Sequence, residues 1–200
     1  MMWFEKLNEY KILLGTQSPR RRQLIEEASI PFSLLPAMNI DESFPEKLKR
    51  EEIPLYVAEQ KAKAYQSYLS DHKTVLITAD TIVWLNSKVL GKPKDRNDAI
   101  VMLQLLSGNK HVVYTGVCIK TKSQTVTFYD QTDVYFKKLS LDEIEYYVDT
   151  YNPYDKAGSY GAQEWIGYVG IDKINGSYFN IMGLPIQQLY VELKKIISYE

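Results

Sequence analysis

The chain has 200 residues, 45% of them hydrophobic, with 24 basic and 25 acidic side chains and a net charge of -1. That is enough apolar material for one sizeable core, or one domain with two lobes, and the near-neutral balance gives no global field for DNA or for a membrane surface. A single cysteine, Cys118, excludes an internal disulfide and a cysteine-based zinc site.

Lys11 to Leu14 is a short apolar strand that stops at Gly15. Ser18 and Pro19 then suit the N-cap and first turn of a helix. Arg20, Arg21 and Arg22 follow at once, and cations there oppose the helix dipole unless an anion is bound. A helix N-terminus with free N–H groups and fork-shaped donors from Arg20 and Arg21 is suited to phosphate. Phe32 to Leu35 reads as a second strand, and the polar segment from Asn39 to Glu52 as a loop.

A helix is expected from about Pro54 to Leu69, with Leu55, Ala58, Ala62, Tyr65 and Leu69 on one apolar face. Lys61 points toward that stripe, either as a long stem covering apolar surface or as a functional amine. Val75 to Ala79 and Ile82 to Leu85 read as strands, with a hairpin turn at Asn86 and Ser87 and a return over Lys88 to Leu90. Asp80 would then close a buried strand, and Lys92 would be brought back near it by the next loop. An acid at a strand end with a lysine nearby is a setting for metal-assisted phosphate chemistry. The pair Asp41 and Glu42, and Asp155, are further acidic candidates.

Asp95 to Leu106 is an amphipathic helix stopped by Gly108, and His111 to Lys120 with Thr125 to Lys137 suggest a long antiparallel pair. Ser140 and Glu143 form a capping-box pattern for a helix through Tyr147 and Val148. Asn152 to Trp165 reads as a loop, and strands are expected near Tyr168 to Ile174 and Ser177 to Ile181. A last helix runs through Ile197. The order of elements implies an α/β fold with a mixed sheet.

Other chemistries lack their parts. Two histidines, His72 and His111, offer no persuasive base for a nucleophilic triad, and neither a GxxxxGK[ST] loop nor a GxGxxG fingerprint occurs. The sixteen tyrosines are spread through helices and strands rather than interleaved with basic residues, as packing groups would be. The N-terminal stretch does not read as a secretory signal and no apolar run is long enough for a membrane helix, so a cytoplasmic setting is expected.

Eight motifs occur in order: SPRR (Ser18 to Arg21), IDE (Ile40 to Glu42), EQKAKA (Glu59 to Ala64), ADT (Ala79 to Thr81), LGKPKD (Leu90 to Asp95), LSG followed by HVVYTGV, DKAGSYGAQ (Asp155 to Gln163) and NGSYFNIMGLP. Together they resemble the Maf family of nucleoside triphosphate pyrophosphatases, over nearly the whole chain. The resemblance implies an elongated mixed β-sheet with helices on both sides, two lobes around a cleft, similar to the inosine triphosphatases, and one functional domain over residues 1–200. It implies cleavage of a nucleoside triphosphate to the monophosphate and pyrophosphate, a divalent cation such as Mg²⁺ or Mn²⁺, and a homodimer.

By motif, Asp80 would accept the proton of the attacking water, with Lys61, Lys92 and Glu42 around the triphosphate, and with Glu42 and Asp80 on the metal. Arg20, Thr81 and Gln163 match positions associated with substrate choice, while Ser18 and Arg21 belong to the anion-binding turn. The DKAGSYGAQ form resembles the dTTP and UTP branch. Thr16 stands where the family has a small Ser, and Glu164 stands where it usually has Gly, adding a charge beside Gln163. The alternative function is a nucleotide-binding regulator of cell division with little turnover.

Overall fold

The computed structural model describes residues 3–199. In chain order these form α1 (Trp3–Leu7), β1 (Lys11–Leu14), α2 (Pro19–Glu27), β2 (Ser33–Leu34), α3 (Glu52–Ala64), β3 (Thr74–Leu85), β4 (Lys88–Leu90) and α4 (Arg96–Leu106). They continue with β5 (Lys110–Lys120), β6 (Thr125–Phe136), α5 (Leu141–Tyr151), α6 (Trp165–Gly170), β7 (Ile171–Asn175), α7 (Tyr178–Met182) and α8 (Ile186–Tyr199). The strands form a seven-stranded sheet of order β2-β1-β3-β5-β6-β7, with β4 paired to β3. Parallel pairing of β1 with β2 and β3, and antiparallel pairing of β3 with β4 and β6 with β7, make it mixed, as expected.

The residues fall into two compact units. The first comprises Met1–Asp80, Thr115–Asp130 and Gly183–Glu200. Leu13, Leu76, Ala58, Ala62, Tyr65 and Cys118 pack together in it, so the apolar face of α3 lies on β1 and β3. Trp3 of α1 meets Tyr190 of α8 edge-on, with ring centroids 5.5 Å apart. Cys118 is fully buried, and burial pushes its thiol up to about 11, so it is a packing group.

The start of α3 lies so close to β5 that a methyl group on Gly116 would sit 2.4 Å from the Leu55 nitrogen and 2.6 Å from the Pro54 carbonyl oxygen. Both are backbone atoms, so neither can swing aside. Gly116→Ala should cost upward of about 2 kcal/mol, measurable as a lowered midpoint in denaturant with unchanged slope.

The second unit comprises Thr81–Tyr114 and Gln131–Met182. Its core joins Val83, Leu103, Leu106, Val113, Phe136, Tyr147, Val148, Tyr160 and Ile166. The turn at Asn86 and Ser87 has positive φ at both residues, 48° and 66°, the form that matches strand twist in a two-residue hairpin. The capping box is present in full: Glu143 N donates to Ser140 Oγ, and Ser140 N to Glu143 Oε2.

Four expectations need correction. β3 is one strand of 12 residues, so Asp80 lies within it rather than at its end. The segment from Tyr168 begins in α6 and becomes strand only at Ile171. The expected strand at Ser177 to Ile181 is the helix α7, where Asn180, fully buried, donates through Nδ2 to the Val113 carbonyl and to Thr132 Oγ1. Those tertiary bonds outweigh the β preference of the aromatic pair Tyr178 and Phe179. The helix beginning near Pro54 also ends earlier than expected, at Ala64, with a 3₁₀ turn at Gln66–Tyr68.

His111 is buried beside Tyr160, its Nε2 2.7 Å from the tyrosine oxygen, and burial lowers its pKa from 6.5 to about 3. The unfolded chain therefore takes up a proton between those values that the folded chain refuses. Stability should fall on acidification through that window by about 1.4 kcal/mol per pH unit from this residue. Comparing denaturation of the protein and of His111→Phe from pH 7 to pH 4 checks this, since the variant should lose that part of the slope.

Candidate functional site

In the first unit, α3 and β3 place a cation between two carboxylates. Leu76, Thr78 and Asp80 share one side of β3 by the period-two alternation of a strand, and that side faces α3. Thr78 Oγ1 donates to the Ala58 carbonyl at 2.7 Å. One helical turn on from Ala58 comes Lys61, and two residues on from Thr78 comes Asp80. Lys61 Nζ lies 2.8 Å from Asp80 Oδ1 and 3.0 Å from Glu42 Oε1. The lysine side chain is 11% exposed, Asp80 15% and Glu42 50%, so the ammonium is enclosed and the site opens on the Glu42 side. A buried charge persists only when paired, and here the pairing comes from two acids 38 residues apart in sequence, Glu42 and Asp80. Lys61 is thus an enclosed ammonium paired with two acids and not a solvent-reaching stem.

The arginine turn supplies the second part. Ser18 occupies the N-cap of α2 with extended backbone and Pro19 follows, but the serine side chain makes no capping hydrogen bond. Thr16 Oγ1 instead accepts from Ser18 N at 3.2 Å and from Arg21 Nη1 at 3.3 Å. Arg21 Nε donates to the Gly183 carbonyl at 2.7 Å, so this guanidinium anchors the turn to the start of the last segment. Desolvation lowers the pKa of Arg21, while the nearby charges of Asp80 and Glu42 raise it and that of Arg20 lowers it further. Arg20, Arg21, Glu42 and Asp80 therefore act on one another electrostatically. Thr16 is the member that motif reading passed over as a mild substitution; its place just after a strand-ending glycine was the available signal.

Among the described residues no group of three or more His, Cys, Asp or Glu side chains converges. Glu42 and Asp80, joined through Lys61, are a pair able to offer oxygen ligands to a hard cation. Carboxylate oxygens are the ligand type that Mg²⁺ or Mn²⁺ would take. Asp41, by contrast, turns back to accept from Ser43 N and Ser43 Oγ, which lowers its pKa and makes it a turn residue.

The second unit carries Thr81, Lys92 and Gln163. Thr81 is half-buried on β3. Lys92 is exposed in the loop between β4 and α4, and the preceding Gly91 carbonyl accepts from Gly158 N at 3.0 Å. That bond ties the Lys92 loop to the DKAGSYGAQ loop. Gln163 is half-buried, and its Oε1 is a buried acceptor with no hydrogen-bond partner. Asp155 pairs with Lys156 Nζ at 2.7 Å. Lys156 is itself buried, which its position in a Gly-rich polar loop did not suggest.

A mixed-sheet α/β protein with arginines at a helix N-terminus and a lysine bridging two carboxylates belongs to the class built to receive a polyanion. Residues 11–196 match the family described as Maf-like protein, and the chain belongs to that family. It is 54% identical over 190 residues to a protein of Bacteroides fragilis named dTTP/UTP pyrophosphatase, covering 95% of this chain and 98% of that one. Proteins with the same name are 53% identical over 190 residues in Parabacteroides distasonis and 43% identical over 193 residues in Flavobacterium johnsoniae, each covering at least 95% of both chains.

Proposed function

We propose that the protein hydrolyses dTTP and UTP to the nucleoside monophosphate and pyrophosphate. The observation that carries this reading is the enclosed Lys61 ammonium between Asp80 and Glu42, in a chain so similar to proteins named dTTP/UTP pyrophosphatase. Asp80 accepts the proton of a water attacking the α-phosphorus. Lys61 holds the Asp80 carboxylate aimed before attack, which is preorganisation rather than binding. Arg20 and Lys61, with Lys92 by family resemblance, meet the charge that builds on the departing pyrophosphate, and Arg21 and Ser18 fix the turn that carries Arg20. Glu42 and Asp80 would hold a divalent cation, which when bound neutralises phosphate charge. One functional domain over residues 1–200 is part of this reading, supported by the family match over residues 11–196. A cytoplasmic homodimer completes the reading, supported by family resemblance and by the single free cysteine.

Base choice follows from Gln163 with Thr81 and Arg20. The unpartnered Gln163 carbonyl oxygen calls for an N–H donor. Uracil and thymine carry one at N3, whereas cytosine presents an acceptor there. Pyrophosphate release from a panel of ribo- and deoxynucleoside triphosphates, with Mg²⁺, Mn²⁺ or chelator, tests the proposal. UTP and dTTP should exceed CTP, GTP and ITP by at least about tenfold. Binding of the same nucleotides without turnover of any would overturn it in favour of a sensor. Gln163→Ala should lose about 1 to 3 kcal/mol in kcat/KM for dTTP, the scale of one lost hydrogen bond in a desolvated site, and lose less for CTP.

A further inference from the structure

The segment from Asn152 to Trp165 has the composition of an exposed loop, yet Lys156, Ser159, Tyr160, Gly161 and Ala162 are buried. A buried irregular segment must satisfy its polar groups internally. Here they are satisfied around one carboxylate. Glu164 stands at the N-cap of α6, where an acid would ordinarily accept from the first turn of the helix, but its side chain makes no cap. It is turned inward instead: Glu164 Oε1 lies 3.0 Å from Lys156 Nζ, and Glu164 Oε2 accepts the hydroxyl proton of Tyr147 from α5.

The same Tyr147 oxygen accepts from Gly161 N at 3.0 Å, and Glu164 N donates to the Gly161 carbonyl at 3.0 Å. Residues 161 and 164 are thus fixed to each other and to α5. Burial, reinforced by the Glu164 carboxylate, pushes the Tyr147 hydroxyl far above its ordinary value, so it remains a donor across the working pH range. Space is closed as well: a methyl group on Gly161 would lie 2.8 Å from Glu164 Cδ and 3.1 Å from Lys156 Cε. Gln163 sits between the two pinned residues, with its Oε1 buried and unpartnered. A buried acceptor left without a donor costs about 1 to 3 kcal/mol, so something must hold it there.

We propose that Glu164, gripped by Tyr147 and Lys156, is the positioning residue that presets the Gln163 amide, and that it acts on pyrimidine selectivity through Gln163 without touching the base. This rests on the reading of Gln163 as the base-selecting residue. The Glu164 carboxylate is held by Lys156, which it shares with Asp155, and by the Tyr147 hydroxyl. Its charge is spent on holding the loop.

The experiment compares Glu164→Ala, Glu164→Gln and Tyr147→Phe with the parent protein. It uses kcat and KM for UTP, dTTP and CTP, together with the side-chain amide signals of Gln163 in a ¹H–¹⁵N spectrum, assigned by their loss in Gln163→Ala. Glu164→Ala should raise KM for UTP and dTTP about tenfold with kcat within about threefold, compress the preference for UTP over CTP, and shift or broaden the Gln163 amide pair. Glu164→Gln, which keeps an acceptor for Tyr147, should recover most of the KM. Tyr147→Phe removes one oxygen from a side chain whose ring remains in place, and should move the same quantities in the same direction should the alanine variant fail to fold. An unchanged UTP to CTP ratio with an unmoved Gln163 signal would overturn the proposal, and so would an equal loss of kcat for all nucleotides. If the parent protein turns over no pyrimidine triphosphate, the base-selecting reading fails, and the Gln163 signal still decides whether Glu164 presets that side chain.

Discussion

Asp80→Asn should lower kcat for dTTP and UTP by roughly 10²- to 10⁴-fold, the range for losing a positioned base, while leaving the fold intact. The exchange keeps the shape of the side chain and an acceptor oxygen for Lys61 Nζ, which lies 2.8 Å away, and Lys61 retains Glu42 as a counter-ion. What disappears is the capacity to take a proton and the charge available to a cation. The change in unfolding free energy should therefore stay within about 1 kcal/mol, since no buried group loses its only partner. Steady-state pyrophosphate release and a denaturant curve on the same preparation check both halves. Turnover equal to that of the parent protein would remove Asp80 from the chemistry.

The second large effect is expected at Lys61. Lys61→Met keeps the aliphatic stem against the α3 face and deletes only the ammonium. Asp80 and Glu42 then face each other without the cation they share. Activity near neutral pH should fall by roughly 10²- to 10³-fold, the scale of removing one preorganised electrostatic group. Stability should drop by less than the 3 to 5 kcal/mol typical of breaking a fully buried pair, because Glu42 is half exposed and water can reach it. Activity within about threefold of the parent at neutral pH would argue against the preorganising role. Lys61→Arg would not restore function, since a planar guanidinium cannot occupy a socket shaped around one nitrogen within 3.0 Å of both acids.

Local patterns in the sequence proved reliable where the chemistry closes within a few residues. Ser140 and Glu143 complete their reciprocal cap, Asn86 and Ser87 turn the hairpin, and α4 ends before Gly108 at φ 70°. Asp80 was legible as an oddity in an apolar run but misplaced to a strand end. Sequence shows an acid interrupting the run; it does not show that α3 delivers a cation to that acid and lets β3 continue to Leu85. The same blindness hid Tyr147 and Lys156. Tyr147 fits the apolar stripe of α5 and reads as core until its hydroxyl is seen between Gly161 and Glu164. Arg21 was expected in the anion-binding turn, and its bond to the Gly183 carbonyl links positions 162 residues apart, beyond any local pattern.

The chain passes between its two compact units after Asp80, Tyr114, Asp130 and Met182. The second unit is therefore complete once Met182 has been synthesised, whereas the first lacks α8 and the Gly183 carbonyl that receives Arg21. On the ribosome the Lys92 and Gln163 loops can assume their final bonds while the arginine turn still waits for its anchor. The anchored form of the arginine turn thus waits for Gly183 during translation. A protease acting on nascent chains would meet the arginine turn, not the glutamine loop, in its unfinished state.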